Sequence, residues 1–402
     1  MRSIGGGRAG AAPDRGRGRA RERGSGAGAG RCHRPPCGRS PPSAGSEEPP
    51  RPALRRLRPG GSSLNLLGPG GEFDLIRSFQ AAGPPPGTEV LVGSGDDCAV
   101  LESGWVVSTD AFLEDVHFRR AWISFDEVGY RAVTAALSDV AAMAARPVGV
   151  LVALGLPDAD ASHIAEGLGS GIRRACERAG CALVGGDLTR SPGPVVVNVV
   201  ALGRAHRPIL RSGARVGDEV WVTGVLGASA AAVRDWQSGR EPAPSARRAF
   251  AAPAARLAEA RWLAERTRMT ALIDLSDGLM GDMSHIAAAS GVAVVLDPAL
   301  VSVAPGAVAA AGSRRSALPL ALAGGEDYEL AFTARPGSAE SVAADFHRRF
   351  GVSLTRVGIV ADGAGIRLEG DGADEFAPGS AGFDHFRAPR SGAADVGRPE
   401  NR

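Results

Sequence analysis

A short apolar run, Ala271-Leu272-Ile273, ends on Asp274-Leu275-Ser276-Asp277-Gly278, and an amphipathic stretch through His285 and Ile286 follows it. This pattern constrains the chain more than any other. It reads as a buried strand running straight into a helix, with two carboxylates and a hydroxyl crowded at the corner. Helix capping by Ser276 or Asp277 would account for one acid, because an N-cap and the helix dipole both favour an oxygen there. It does not account for Asp274 at the end of a buried strand, so the corner is read as functional.

Acidic turns recur along the chain: Asp96-Asp97 in Gly93-Ser94-Gly95-Asp96-Asp97, Asp110 in Ser108-Thr109-Asp110, Asp139 in Leu137-Ser138-Asp139, and Asp187 in Gly185-Gly186-Asp187-Leu188-Thr189-Arg190. Such a set suits hard, oxygen-ligated cations such as Mg²⁺, and hence phosphate chemistry. Each turn also has a plainer reading. The Gly93 turn is a tight hairpin unless its backbone N–H groups cradle phosphate. Asp110 caps a turn, or shares a cation with the hydroxyls before it at the end of the strand 105–108. Asp139 sits in a helix near the core face of Val133, Leu137 and Val140, where it takes either a metal or a surface salt bridge. Asp187 follows a strand read as buried, in a plain left-handed turn or a phosphate-cradling one. Glu326, in Gly324-Gly325-Glu326-Asp327-Tyr328-Glu329-Leu330, is a substrate contact or a solubilising turn residue. His117 by itself reads as a surface histidine, and Arg211 as a surface arginine or a bidentate phosphate partner.

All 46 basic residues are arginine. Without lysine the chain has no P-loop lysine, Schiff base or lysine general base, so phosphate must be met by arginine, metals, backbone N–H groups or helix ends. Residues 1–60 carry 14 arginines against four acids, a net of +10, and the remainder is −8. Residues 1–70 are rich in Gly, Arg, Pro, Ala and Ser, and read as disordered. They are a nucleic-acid arm, a transit peptide, or translated upstream sequence, of which the last fits the composition best. A +10 tail binds polyanions at low salt, but no aromatics interleave its arginines, so no specific nucleic-acid partner is expected. Cys32, His33 and Cys37 offer only three zinc ligands. The five cysteines form no C-x-x-C pair, and no apolar run is long enough to cross a bilayer, so a reducing cytoplasm is expected.

Periodicity divides the rest into mixed α/β segments. A helix is predicted over 73–79, and strands over 90–92, 99–101 and 105–108. Ser124 and Glu127 form a capping box for a helix ending before Pro147. A strand over 148–154, a helix over 162–179 stopped by Gly180, and strands over 181–184 and 195–202 complete a first domain, 71–205. A second domain, 206–388, takes strands over 220–223, 292–296, 329–333 and 354–360, helices near 227–237, 255–267 and 338–349, and the Asp274 corner. Residues 389–402 read as a second tail.

In this order the motifs GSGDD, STD, LSD, GGDLTR, RSGA, IDLSDG and GGEDYEL resemble the bacterial thiamine-monophosphate kinases of the aminoimidazole ribonucleotide synthetase superfamily. Gly71-Glu72-Phe73 and Gly382-Phe383-Asp384-His385-Phe386 also match. The resemblance implies an α/β (α+β), two-domain homodimer, its N-terminal domains pairing through sheets into a barrel-like interface and its C-terminal domain an α/β layer. It implies metal ligation by Asp97, Ser108, Thr109, Asp110, Asp139, Asp187, Asp274 and Asp277. ATP contacts fall on Gly186, Asp187, Arg211 and Ser276, and thiamine phosphate contacts on His117, Glu326 and Phe383. Asp139, Asp274 and Arg211 would carry catalysis. The implied reaction passes a phosphoryl group from ATP directly to thiamine monophosphate, assisted by several Mg²⁺ ions. Phe383 stands where the family often has Tyr or Trp, keeping the stacking face without the polar handle.

Overall fold

The computed structural model describes residues 87–371, with Leu75, Ile76, Ser78, Phe79 and Ala373. All lie in one compact unit, Leu54–Arg402. Both tails, the Cys32 cluster and Phe383 fall outside the described residues; of the helix expected over 73–79, the four described residues are helical.

Two six-stranded sheets organise the chain. The first takes β1 (Val90–Val92), β2 (Ala99–Leu101), β3 (Trp105–Leu113), β4 (Arg146–Leu156), β5 (Ala182–Arg190) and β6 (Val196–Arg204), in the order β1-β2-β3-β6-β4-β5. The second takes β7 (Glu219–Thr223), β8 (Met269–Asp274), β9 (Ala293–Leu296), β10 (Leu330–Ala334), β11 (Leu354–Ala361) and β12 (Gly365–Leu368), in the order β12-β9-β11-β7-β10-β8. Among the described residues the first sheet is open, ending on β1 and β5, and forms no closed barrel.

Helix α1 (Phe125–Ala142) lies between the sheets, against β3 and β6 of the first and β8 of the second. Its start is fixed locally. The Ser124 backbone N–H donates to Glu127 Oε2 at 2.9 Å, and the Glu127 N–H donates back to Ser124 Oγ at 3.3 Å. Fourteen of its residues are buried, which leaves it almost no solvent face. Helix α2 (Ala161–Ala179) packs on α1 and ends on Gly180 at φ 67°. In the second half follow α3 (Ala228–Gln237), α4 (Pro244–Ala251), α5 (Leu257–Arg266), α6 (Leu279–Ser290), α7 (Pro305–Ala311), α8 (Arg314–Ala323) and α9 (Glu340–Phe350). None of the described helices is long and apolar enough to cross a membrane.

Two sequence expectations change. Strand β3 runs to Leu113, paired with β6 from Trp105↔Arg204 to Leu113↔Val196, so Ser108-Thr109-Asp110 lies in mid-strand rather than at its end. A long partner strand outweighs the low strand preference of Asp110. Strand β5 is likewise longer than expected and takes in Gly185-Gly186-Asp187; it is an exposed edge, not a buried strand ending in a turn. Gly186 is required there for packing. A Cβ would lie 1.9 Å from the Val152 carbonyl oxygen of β4.

Candidate active site

Three separate elements deliver three carboxylates to one point. Asp97 comes from the β1–β2 turn, Asp139 from the last turn of α1 and Asp274 from the end of β8, and one oxygen of each lies within 4.8 Å of the others. The Ser108 hydroxyl donates to Asp139 Oδ2. Arg211 closes the back of the group: its Nη2 donates to Asp97 Oδ1 at 2.7 Å and its backbone N–H to Asp96 Oδ2 at 3.1 Å.

Confining acids in this way raises their pKa values. Burial, then the charge of Asp97, pushes Asp274 up to about 8. Asp139 is driven well above the usual carboxylate range by burial and then by Asp110 and Asp274. Asp96 rises to about 7 by burial and the Asp97 charge, and Asp110 to about 6 by burial and Asp277. Arg211 stays firmly protonated, because the charge and hydrogen bond of Asp97 outweigh the burial that opposes them. Asp97 Oδ2 is buried with no hydrogen-bond partner among the described residues. An orphaned carboxylate oxygen facing two further hard donors fits a divalent cation, which would remove both the repulsion and the unmet acceptor.

Asp139 and Asp274 open onto a cleft of about 690 Å³. Its walls include Asp110, His117, Asp139, Asp274, Ser276, Asp277 and Glu326, with Arg119, Trp122, Phe250 and Tyr328 at the apolar end. His117 accepts the Leu113 N–H on Nδ1 at 3.0 Å, so the neutral ring carries its proton on Nε2. It is half-buried in this wall rather than a surface histidine. The Ser276 corner and the Glu326 loop are locked together: Leu275 N–H donates to the Glu329 carbonyl and Tyr328 N–H to the Leu275 carbonyl, both at 2.8 Å. Gly325 is needed there, since a Cβ would meet the Ser276 carbonyl oxygen at 2.3 Å.

Not every expected residue joins the group. Side chains alternate along β3, so Ser108 faces Asp139 of α1 and Asp110 the cleft, while Thr109 lies on the opposite face, where Asn198 Nδ2 donates to its hydroxyl at 3.2 Å. Asp187 is on that same open face, in the row Ala111↔Asn198↔Ala153↔Asp187, three strand spacings or roughly 14 Å from β3. Gly186 travels with it. Arg211 is behind the acids and does not line the cleft.

The expected cap of α6 is also different. Gly278 is its N-cap, and Asp282 Oδ2 accepts the Asp277 N–H at 3.1 Å. Asp282 and His285 were not singled out from sequence, yet with Asp277 they form a second group whose ligand atoms lie within 4.8 Å of one another. Their spacing of one helical turn after the IDLSDG corner was the available signal. Burial and then Asp277 raise Asp282 well above its usual range, and burial and then Arg211 lower His285 to about 3.

Comparison with known proteins bears on the family and the fold. Residues 95–205 match the family AIR synthase related protein, N-terminal domain. The chain is 37% identical over 267 residues to the thiamine-monophosphate kinase of Mycobacterium tuberculosis, covering 65% of this chain and 79% of that protein. With that of Escherichia coli K12 it shares 32% identity over 329 residues, covering 79% and 99%. Among solved structures, AaThiL complexed with AMPPCP and TMP superposes with a TM-score of 0.66 at 29% identity, covering 80% of this chain and 97% of that one. The Stenotrophomonas maltophilia thiamine-monophosphate kinase gives 0.62 at 33%, covering 75% and 96%. The hydrogenase maturation protein HypE of Escherichia coli, at 20% identity and a TM-score of 0.56 over 67% of this chain and 83% of its own, shares the fold. On this agreement of motifs, fold and sequence, the chain belongs to the thiamine-monophosphate kinase family of the AIR synthase superfamily.

Proposed function

We infer that this protein transfers a phosphoryl group from ATP to thiamine monophosphate, giving ADP and thiamine diphosphate. The observation that carries the reading is the joining, in one cleft, of Asp139 and Asp274 to the Glu326 wall, with Asp97 clustered behind them. An acid cluster suits a metal-bound triphosphate, and Glu326 beside aromatic rings suits a cationic thiazolium.

Asp97, Asp110, Asp139, Asp274 and Asp277, with the Ser108 hydroxyl, would hold Mg²⁺. When bound, Mg²⁺ supplies charge neutralisation that lets one phosphate approach another. The chain's own residues do the positioning. Ser276 stands between the acids and the Glu326 loop, where it can meet ATP, and His117 Nε2–H can donate to the substrate phosphate. Arg211 orients Asp97 through its Nη2 hydrogen bond. The attacking phosphate oxygen is already ionised at neutral pH, so no strong general base is needed. Phe383, proposed to stack on the thiazolium, lies outside the described residues.

Thr109, Gly186 and Asp187 belong to this reading only in a homodimer. The β5 edge exposes Leu183, Val184 and Leu188 beside Asp187. A long apolar edge strand calls for a partner. A second copy placed there would cover these side chains and could carry its Asp187 to the neighbouring acids, with 71–205 as the dimerisation domain, 206–388 as the second domain, and the cytoplasm as the compartment.

The test is ADP release with thiamine monophosphate, ATP and Mg²⁺, together with mass identification of thiamine diphosphate. Absence of turnover under saturating Mg²⁺ would refute the assignment.

A further inference from the structure

Arg131 lies in mid-α1 and its side chain is 0% exposed, among the largest fully buried side chains described. A guanidinium at a core helix position is costly, and an apolar residue of similar length would fill the space without that cost. Its surroundings show what it holds. Nη1 donates to the Phe250 carbonyl, and the guanidinium carbon lies 3.8 Å from the centre of the Phe250 ring and 5.6 Å from that of Tyr328. Nη2 stands 2.5 Å from Glu326 Oε1. The contact is ionic rather than well directed, because neither Nη2 nor Nε completes a hydrogen bond among the described residues.

The other partner is unusual too. Glu326 has φ +71° and Tyr328 φ +51°, left-handed backbone at two side-chain-bearing residues in a row of three. Such conformations are strained for residues with side chains and persist where surrounding contacts over-determine them. The Glu326 side chain is 28% exposed and lines the cleft, while Arg131 reaches it from beneath. Arg131, Ala135 and Asp139 follow one another at intervals of four along α1, and Ala135 and Asp139 both line the cleft. One helix stripe therefore presents Asp139 to the acid cluster and Arg131 to Glu326, roughly 12 Å apart along the axis.

We propose that Arg131 is a positioning residue, which fixes the Glu326 carboxylate at the cleft wall at a set distance from the acid cluster and so sets affinity for the cationic substrate. It touches neither substrate and acts through Glu326. The inference rests on the thiamine monophosphate reading of the cleft.

The test is a double-mutant cycle on the full-length protein with Arg131→Met, Glu326→Gln and the pair, plus Arg131→Lys, reading KM for both substrates, kcat and Tm. Arg131→Met raises KM for thiamine monophosphate about tenfold, with KM for ATP changed by less than about twofold. In the Glu326→Gln background it adds nothing further. Lysine keeps the charge but not the fork, so Arg131→Lys recovers part of the loss. If Arg131→Met does not fold, Arg131→Lys carries the same cycle. Additive effects in the cycle, equal rises in both KM values, or a lower Tm with unchanged kinetics would each overturn the proposal while leaving the kinase reading intact. Wild-type protein that does not turn over thiamine monophosphate would overturn both.

Discussion

The backbone N–H of Glu326 donates to the carbonyl of Ser276 at 2.7 Å. With the two bonds made by Leu275, it joins the loop that carries the proposed thiazolium contact to the corner that carries Asp274 and Asp277. Both segments are the ends of paired strands, with Leu330 of β10 opposite Asp274 of β8. The register of one antiparallel pair thus fixes the offset between two parts of the cleft.

This offset can be attacked without touching a polar side chain. Gly325→Ala places a methyl against the Ser276 carbonyl and forces the loop away. We expect a loss of about 2–4 kcal/mol of stability, the range of a serious backbone clash. KM for thiamine monophosphate should rise more than KM for ATP. Chemical denaturation and steady-state kinetics check it; an unaltered KM would show that the loop geometry does not matter to the substrate.

Asp274→Asn and Asp139→Asn should separate stability from activity. Each replaces a carboxyl whose ionisation burial and its neighbours disfavour, so above pH about 8 the metal-free variant should melt no lower than the metal-free wild type. Each also removes a hard ligand, and kcat should fall on the order of 100-fold. Thermal melts with and without Mg²⁺ and single-turnover rates decide it. A fully active Asp274→Asn enzyme that merely melts earlier would make Asp274 structural.

The same repulsion predicts a pH dependence of the metal-free protein. Asp110, Asp96 and Asp274 have folded values of about 6, 7 and 8 against the ordinary 3.8. Through these three groups the folded state binds more protons than the unfolded one between pH about 4 and about 8, and their contribution to stability falls as pH rises through that window; buried His285, held near 3, works against this only below about pH 6.5. Saturating Mg²⁺ should flatten the fall, because the cation replaces the protons. Melting temperatures from pH 5 to 8.5 test this, and a metal-free protein that grows more stable across the range would contradict it.

Dimer assembly gives a complementation test. If Asp187 serves the neighbouring subunit, Asp187→Asn and Asp274→Asn homodimers are both inactive, but mixing and reannealing them builds hybrids with one intact site. Activity should return to a fraction of wild type set by the hybrid population. Leu188→Arg, on the exposed β5 edge, should shift the protein to monomer and abolish that recovery. No recovery from a verified heterodimer would place Asp187 in its own subunit's site or outside the site altogether.

Local chemistry was legible in the sequence because it depends on neighbours along the chain. The Ser124–Glu127 cap, the Gly180 stop and the strand-to-helix turn at Asp274 are each set within a few residues, and the structure has all three. So was the family, since the motifs keep their order. What the sequence could not decide is which side of a strand a residue takes and what lies across from it. Ser108 and Thr109 are adjacent in the chain yet face opposite sides of the first sheet, and Asp187 stands with Thr109 only because β6 and β4 pair between them. Nor could it show that Asp97, Asp139 and Asp274 converge, or that Arg131 sits beneath Glu326, because those contacts join residues from 42 to 195 positions apart. Hydrophobic pattern and turn chemistry act over one or two helical turns. Convergence of charge from distant elements is a product of how the sheets and α1 pack, and only there does burial turn separate acids into one coupled site.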